Sequence, residues 1–97
     1  MKQPDFIVNK NLEEFGNHMR NWRKIRRMSQ QDVADRAHIT RQTVAKIEQG
    51  IGSVRFEDAI AILKILQQDR VVLDAVNPWN NEAARARWML TEKERVG

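Results

Sequence analysis

The chain has 97 residues, with 17 Lys and Arg residues against 13 Asp and Glu residues, so its formal charge at pH 7 is +4. This length accommodates one small domain and excludes a large α/β barrel enzyme. The absence of Cys excludes a disulfide framework and a thiolate metal site. The longest unbroken apolar run, residues 59–63, is far below the roughly 20 residues that span a bilayer. Residues 1–10 lack the apolar core of a secretory signal. The sequence therefore predicts a cytoplasmic protein with no membrane partner.

The excess positive charge lies in the middle of the chain. Residues 18–55 carry nine basic residues against three acidic ones, whereas segments 1–17 and 56–97 each carry a net charge of −1. A basic centre between slightly acidic flanks indicates a localised anion-binding surface. A solvent-exposed, Arg-rich surface that binds no ligand would have the same charge distribution. The helix pattern has to distinguish between these two interpretations.

Apolar residues recur every three or four positions in the first third of the chain. This period is typical of an amphipathic helix, which we predict from about Asn11 to Arg27. We interpret residues 1–10 as an N-terminal arm. The inward face of the helix would carry Leu12, Phe15, Met19, Trp22 and Ile25.

Two short helices follow, each with a recognisable start. Ser29, with an acidic residue three positions later, predicts the N-cap of a helix over 30–37. Only three residues separate that helix from the next, which Thr40 would cap and which would cover 41–49. Gly50 supplies the expected stop. Val33, Ala34 and Ala37 would pack against Val44 and Ile47.

The second half of the chain is less clearly patterned. A fourth helix is predicted over about 55–66, with Ile62 and Ile65 outside its inner face, which leaves apolar surface for a partner subunit or for the C-terminal segment. Residues 71–76 fit a short helix or a short strand. Residues 82–90 favour a helix, and Thr91–Gly97 are expected to fray. The predicted inner face of the fourth helix is Phe56, Ala59, Ile60, Leu63 and Leu66.

Two short helices joined by a three-residue turn form a helix-turn-helix unit. The first helix braces the second, whose outer face can then enter a major groove. Gln pairs bidentately with adenine and Arg with guanine. Thr40 and Gln30 lie at predicted helix N-termini, where backbone N–H groups favour phosphate. The outer face of the second helix carries Arg41, Gln42, Ala45, Lys46 and Gln49.

The central stretch resembles the phage-repressor-type helix-turn-helix family, also called the Xre or Cro/C1 family. The resemblance rests on Phe15-Gly16, Met28-Ser29-Gln30, Val33-Ala34, Ile39-Thr40-Arg41-Gln42-Thr43-Val44 and Ile47-Glu48 followed by Gly50. It implies an all-α fold, a compact lambda-repressor-like bundle of about five helices with a C-terminal extension. We divide the chain into the arm, a DNA-binding domain over 11–76 and an extension over 77–97. The partners implied are a palindromic double-stranded DNA operator and a second copy, in a homodimeric repressor.

The same resemblance implies roles for single residues. Arg23 and Glu48 would form a partly buried ion pair between the first helix and the recognition helix. Phosphate contacts would come from Gln30, Thr40 and Gln49, and contacts to bases or adjacent backbone from Arg41, Gln42, Thr43 and Lys46.

Two positions depart from the family pattern. His38 stands where Gly is usual, at a turn position that often needs positive φ, and we interpret it as a strained but tolerated turn residue. Arg55 stands where a Ser or Thr cap is common; it would reach DNA or simply be exposed.

A finer resemblance links Ser53–Ala59, Leu73–Trp79 and Ala83–Trp88 to antitoxins of the HipB type. It implies repression of the protein's own operon and a kinase toxin as partner. Trp79, Trp88 and Met89 would be contacts outside the DNA surface, or would pack on the fourth helix.

Other function classes are also compatible with this fold. The alternatives are a phage or restriction-modification controller without a toxin, and a protein-interaction module on the same fold. The two His residues stand apart and no phosphate-binding Gly loop is present, so we predict no enzyme, no catalytic or metal residues and no cofactor.

Overall fold

The computed structural model describes residues 5–96, and all of the regular structure in that range is helical. The all-α prediction is therefore confirmed. The elements are α1 (Phe6–Ile25), α2 (Gln30–Ala37), α3 (Arg41–Gln49), α4 (Phe56–Ile65), α5 (Asp69–Val76), a 3₁₀ turn (Pro78–Asn80) and α6 (Glu82–Val96).

Helix α1 begins five residues before its predicted start and ends two residues earlier than predicted. The Asp5 carboxylate accepts a hydrogen bond from the Ile7 amide at 2.7 Å and so caps the helix. Residues 6–10, which were assigned to an arm, are therefore helical, while residues 1–4 of that arm lie outside the described residues. Ile25 was predicted to face inward but is 66% exposed. The next residue, Arg26, contacts the domain instead. Its guanidinium lies over the Trp22 ring at 5.3 Å and donates to the Leu66 carbonyl at 3.2 Å.

The boundaries of α2 and α3 agree with the prediction residue for residue. Local chemistry explains this agreement, because both helices have side-chain caps at their starts and left-handed residues at their ends. The short turn between them holds α2 and α3 in close contact, with Val33, Ala34 and Val44 buried.

Helix α4 packs the predicted residues Ala59, Ile60, Leu63 and Leu66 in or against the core, but it differs from the prediction at three positions. Ile62, expected outside, is only 2% exposed, and Phe56, expected inside, is 80% exposed. Phe56 opens the helix next to the exposed loop 51–53, at the outer edge of the core. Ile65, also expected outside, is half-buried against the core. The apolar surface that α4 leaves over is therefore concentrated at Phe56.

The core lies where α1 to α4 meet. Residues 71–76, left open between helix and strand, are helical in α5, and Val72 packs against the core. Helix α6 extends through residues 91–96, which were expected to fray; Gly97 lies outside the described part of the chain. No helix within residues 5–96 is both long and apolar enough to cross a membrane. The buried core residues are Met19, Met28, Val33, Ala34, Val44, Ile47, Ile62, Leu63 and Leu66.

Candidate nucleic-acid interface

The α2–turn–α3 unit is built by reciprocal capping. The Ser29 hydroxyl accepts from the Asp32 amide at 3.0 Å, and the Asp32 carboxylate accepts from the Ser29 amide at 2.8 Å. The hydrogen bond from the Ser29 amide, and after it the interaction with the Ser29 side chain, lowers the pKa of Asp32. This capping box fixes where α2 starts, so α3 emerges from a defined position after the turn.

The turn depends on a left-handed residue. His38 ends α2 with φ of 59° and ψ of 41°, the conformation expected at this position. The next amide, of Ile39, then donates to the Ala34 carbonyl at 3.0 Å. His38 is exposed, so its side chain meets no core residue that would oppose this backbone conformation.

The start of α3 is held by two threonines. Thr40 Oγ1 accepts from the Thr43 amide at 3.1 Å and lies 2.9 Å from the Thr43 hydroxyl. The Thr43 hydroxyl is thus tied to the cap, and Thr43 is half-buried. The two residues set the orientation of the first turn of α3, where the neighbouring side chains reach outward.

The outer face of α3 has no intramolecular role. Four of its predicted contact residues are exposed, and within residues 5–94 their side chains have no hydrogen-bond or ionic partner. Ala45 between them is small and half-buried, so the face is shallow at its centre. The structure brings these residues together on one side of one helix: Arg41, Gln42, Lys46 and Gln49.

Glu48 lies on the opposite side of α3 and anchors a buried polar cluster. It is 6% exposed and accepts two hydrogen bonds from Arg23, from Nε at 2.7 Å and from Nη2 at 3.0 Å. Gln30 Nε2 donates to it at 3.0 Å, and Arg20 Nε lies 3.5 Å away. Arg23 also donates to the Met28 carbonyl at 3.0 Å. The cluster therefore joins α1, the start of α2 and α3.

The sequence fits a known family over most of its length. A model of a family described as "Helix-turn-helix domain" matches residues 14–76. The chain belongs to this family. No curated protein matches the chain. Helix-turn-helix domains bind DNA and serve in regulators of transcription, and the exposed polar face of α3 is the surface that such a domain presents.

The helix-turn-helix domain carries further basic side chains beside α3. Lys24 is exposed in the last turn of α1, Arg20 is part-exposed one turn earlier, and Arg27 is exposed in the turn that follows the helix. Arg20 and Lys24, four residues apart, share one face of α1. Arg55 is three-quarters exposed and forms an ion pair with Glu57, without capping α4 through its side chain. Within residues 5–96, no group of three His, Asp or Glu side chains is placed to hold a metal ion.

Two features of this site were absent from the sequence-based prediction. Arg20 joins Arg23 around Glu48, and the spacing of three residues on one helix was the available signal for it. Gln30 was expected to contact phosphate, yet its amide group also donates to Glu48. Nothing in the local pattern around Gln30 indicated this contact, because it joins residues 18 positions apart.

The helix-turn-helix domain should lose stability in acid through Glu48. Burial opposes ionisation of Glu48, but hydrogen bonds from Arg23 and Gln30 and the charges of Arg23 and Arg20 outweigh it, so the pKa is lowered. A carboxyl with a lowered folded-state pKa stabilises the fold above its unfolded pKa of about 4.3, and this stabilisation disappears as pH falls through the folded value.

We therefore expect the free energy of unfolding in urea to decline below about pH 4.3. The decline should be shallower in Glu48→Gln, since glutamine does not titrate, while Asp32 would still contribute in both proteins. Identical pH profiles for the two proteins would contradict the assignment to Glu48.

Proposed function

We propose that the chain is a sequence-specific transcriptional repressor of the phage-repressor (Xre or Cro/C1) type, acting as a homodimer on a palindromic operator. The observation that carries the proposal is the outer face of α3, whose polar side chains are exposed and unpartnered within the described chain. Such side chains can hydrogen-bond to base edges without first breaking hydrogen bonds or ion pairs within the protein.

The arrangement of α3 supports a division of roles along the helix. Arg41 and Gln42 stand in its first turn, the part of a recognition helix that reaches base edges. Arg matches guanine and Gln matches adenine through bidentate hydrogen bonds. Lys46 follows one turn later, where it would contact bases or the adjacent backbone, and Gln49 follows two turns later, where it would contact phosphate.

Phosphate contacts are proposed at the edges of this face. Thr40 and Gln30 lie at the starts of α3 and α2, where free backbone N–H groups and the helix dipole favour an anion. Lys24 in the last turn of α1 and Arg27 just after the helix extend the basic surface. Arg55 contacts DNA in this proposal only by leaving its ion pair with Glu57.

The small size of a single α3 supports the proposed homodimer. One helix of nine residues reads only a few base pairs, and two copies related by a two-fold axis read a palindrome with half-sites about 34 Å apart. The apolar side chains exposed outside α3, above all Phe56 and Trp88, provide surface for that association.

The antitoxin role belongs to the same proposal but rests on resemblance to HipB-type antitoxins. It places the protein in the cytoplasm, repressing its own operon and binding a kinase toxin. A kinase-like neighbouring reading frame would support that role. A neighbouring methyltransferase or nuclease gene would instead support a restriction controller.

Two substitutions separate base recognition from backbone binding. Gln42→Ala should weaken binding to the operator by about 1–3 kcal/mol and relax sequence preference, because it removes a base contact. Lys24→Ala should weaken binding to operator and random duplex alike and reduce the salt slope by about 1. Binding to the promoter of the protein's own gene and to a random duplex would be measured by anisotropy at several salt concentrations.

Equal losses on operator and random DNA for Gln42→Ala would remove this residue from base recognition. Affinity of the unmodified protein that stays flat between low and moderate salt would overturn DNA binding itself. Lys93→Ala, at an exposed lysine of α6 outside the residues that match the helix-turn-helix family, is the matched control and should change neither quantity.

A further inference from the structure

The corner between α5 and α6 is rigidly built although it lies outside the core. Four side chains hold its backbone: Asn77 accepts from the Trp79 amide at 3.0 Å, Asn80 donates to the Asp74 carbonyl at 2.9 Å, Asn81 accepts from the Ala84 amide at 2.8 Å and Arg85 donates to the Trp79 carbonyl at 2.8 Å. Packing of a core does not require this corner, since Trp79 and Trp88 remain 51% and 54% exposed.

This corner encloses a small apolar pocket. The volume is about 90 Å³, and the lining is Pro78, Trp79, Ala84, Arg85 and Trp88. Pockets for small-molecule ligands usually span about 300–1,000 Å³, so this one has room only for a single side-chain ring. Arg85 donates one of its five N–H groups to the Trp79 carbonyl. Its guanidinium therefore carries a positive charge at the rim of the pocket.

The same chain exposes a side chain that matches this pocket. Phe56 is 80% exposed, more than any other large apolar residue of the described chain. Glu57 and Asp58 follow it in the first turn of α4, so two carboxylates lie within one helical turn of Phe56. Asp58 has no ionic partner within residues 5–94, whereas Glu57 pairs with Arg55. An apolar ring next to negative charge complements an apolar pocket next to Arg85.

Phe56 does not occupy the pocket of its own chain. It lies instead at the edge of a separate groove with Leu12, Phe15 and Val54. A pocket and a matching side chain that remain apart in one molecule can meet between two molecules. When a two-fold axis relates the copies, each contact then occurs twice.

We propose that two copies of this chain associate by reciprocal insertion of Phe56 of each copy into the Trp79–Trp88 pocket of the other. The inference rests on the proposed homodimer and names its interface. Buried aromatic anchors surrounded by polar groups dominate the affinity of such interfaces. Neither Phe56 nor the pocket includes a residue of α3, so both recognition helices stay free for DNA.

Sedimentation equilibrium of the full chain and its variants tests the interface. Phe56→Ala and Trp88→Ala should each raise the dimer dissociation constant about 100-fold, from a tenfold loss at each of two symmetric contacts. Phe6→Ala and Met89→Ala are matched controls, because both residues are exposed and lie outside the contact. Circular dichroism would show that all four variants keep their helices.

Mixing the two weakened variants gives the sharper result. The Phe56→Ala copy keeps its pocket and the Trp88→Ala copy keeps its phenylalanine, so their heterodimer retains one contact of two. It should form about tenfold more tightly than either variant associates with itself.

Two results would overturn the interface. If the unmodified protein is a dimer and neither variant weakens it, the interface is elsewhere and the proposed homodimer stands. If the unmodified protein stays monomeric at all concentrations and on operator DNA, the proposed homodimer fails together with the interface.

Discussion

Replacing Glu48 with alanine is expected to lower the free energy of unfolding by about 3–5 kcal/mol, the cost typical of breaking a buried ion pair. The substitution removes the acceptor of both Arg23 hydrogen bonds and of the bond from Gln30. The Arg23 guanidinium, whose side chain is 13% exposed, would be left without its counter-charge. A domain of this size has about 5–15 kcal/mol of stability in total, so the substitution would remove a large share of it.

Urea unfolding followed by circular dichroism measures this effect. Arg20→Ala is the matched control, because Arg20 lies 3.5 Å from the same carboxylate but its side chain is 43% exposed. That variant should lose no more than about 1 kcal/mol, as exposed ion pairs do. A loss for Glu48→Ala as small as that for Arg20→Ala would show that the cluster contributes little to stability.

Replacing Gly16 with alanine is expected to cost about 3 kcal/mol, the upper end of the range for overpacked cores. A Cβ built on Gly16 would lie 2.3 Å from the Ile47 carbonyl oxygen and 2.7 Å from that of Glu48. Both obstacles are backbone atoms of α3, so α1 and α3 would have to separate. The gain of up to about 1 kcal/mol from alanine's helix propensity offsets only part of this cost.

Gly52→Ala is the control for the Gly16 substitution. The nearest atom to a Cβ there is the Leu12 Cδ1 at 3.0 Å, the movable end of a side chain, and the backbone of Gly52 is not left-handed. Its stability should change by less than about 0.5 kcal/mol. Equal melting temperatures for the two alanine variants would mean that the α1–α3 contact is looser than the structure indicates.

Much of the fold follows from local chemistry that is visible in the residue order. Ser29 with Asp32, Thr40 with Thr43, and Gly50 each form contacts within a few residues of themselves, so the limits of α2 and α3 were predictable. Capping and turn preferences act without help from distant parts of the chain. The exposed side chains of α3 were predictable for the same reason, since helix periodicity assigns them to one face.

Wrong predictions occurred where the outcome depended on distant partners. Periodicity alone placed Phe56 inside and Ile62 outside, but the inner stripe of α4 is set by the position of α2 and α3 beside it. For residues 71–76 the sequence leaves helix and strand open because a short apolar run satisfies the period of either one. Gln30 differs, since its helix was predicted correctly but its bond to Glu48 was not.

The basic middle of the chain forms the helix-turn-helix unit, whereas the acidic C-terminal flank forms α4, α5 and α6. Residue order alone was sufficient to locate the two short helices, their caps and the polar face of α3, because those features arise from bonds within one or two helical turns. The tertiary structure decided which apolar residues are left exposed, where Arg20 and Gln30 meet Glu48, and that Trp79 and Trp88 enclose a pocket. Those features depend on how helices distant in sequence come to lie against one another, and side-chain volume and charge compensation in the folded state determine that packing.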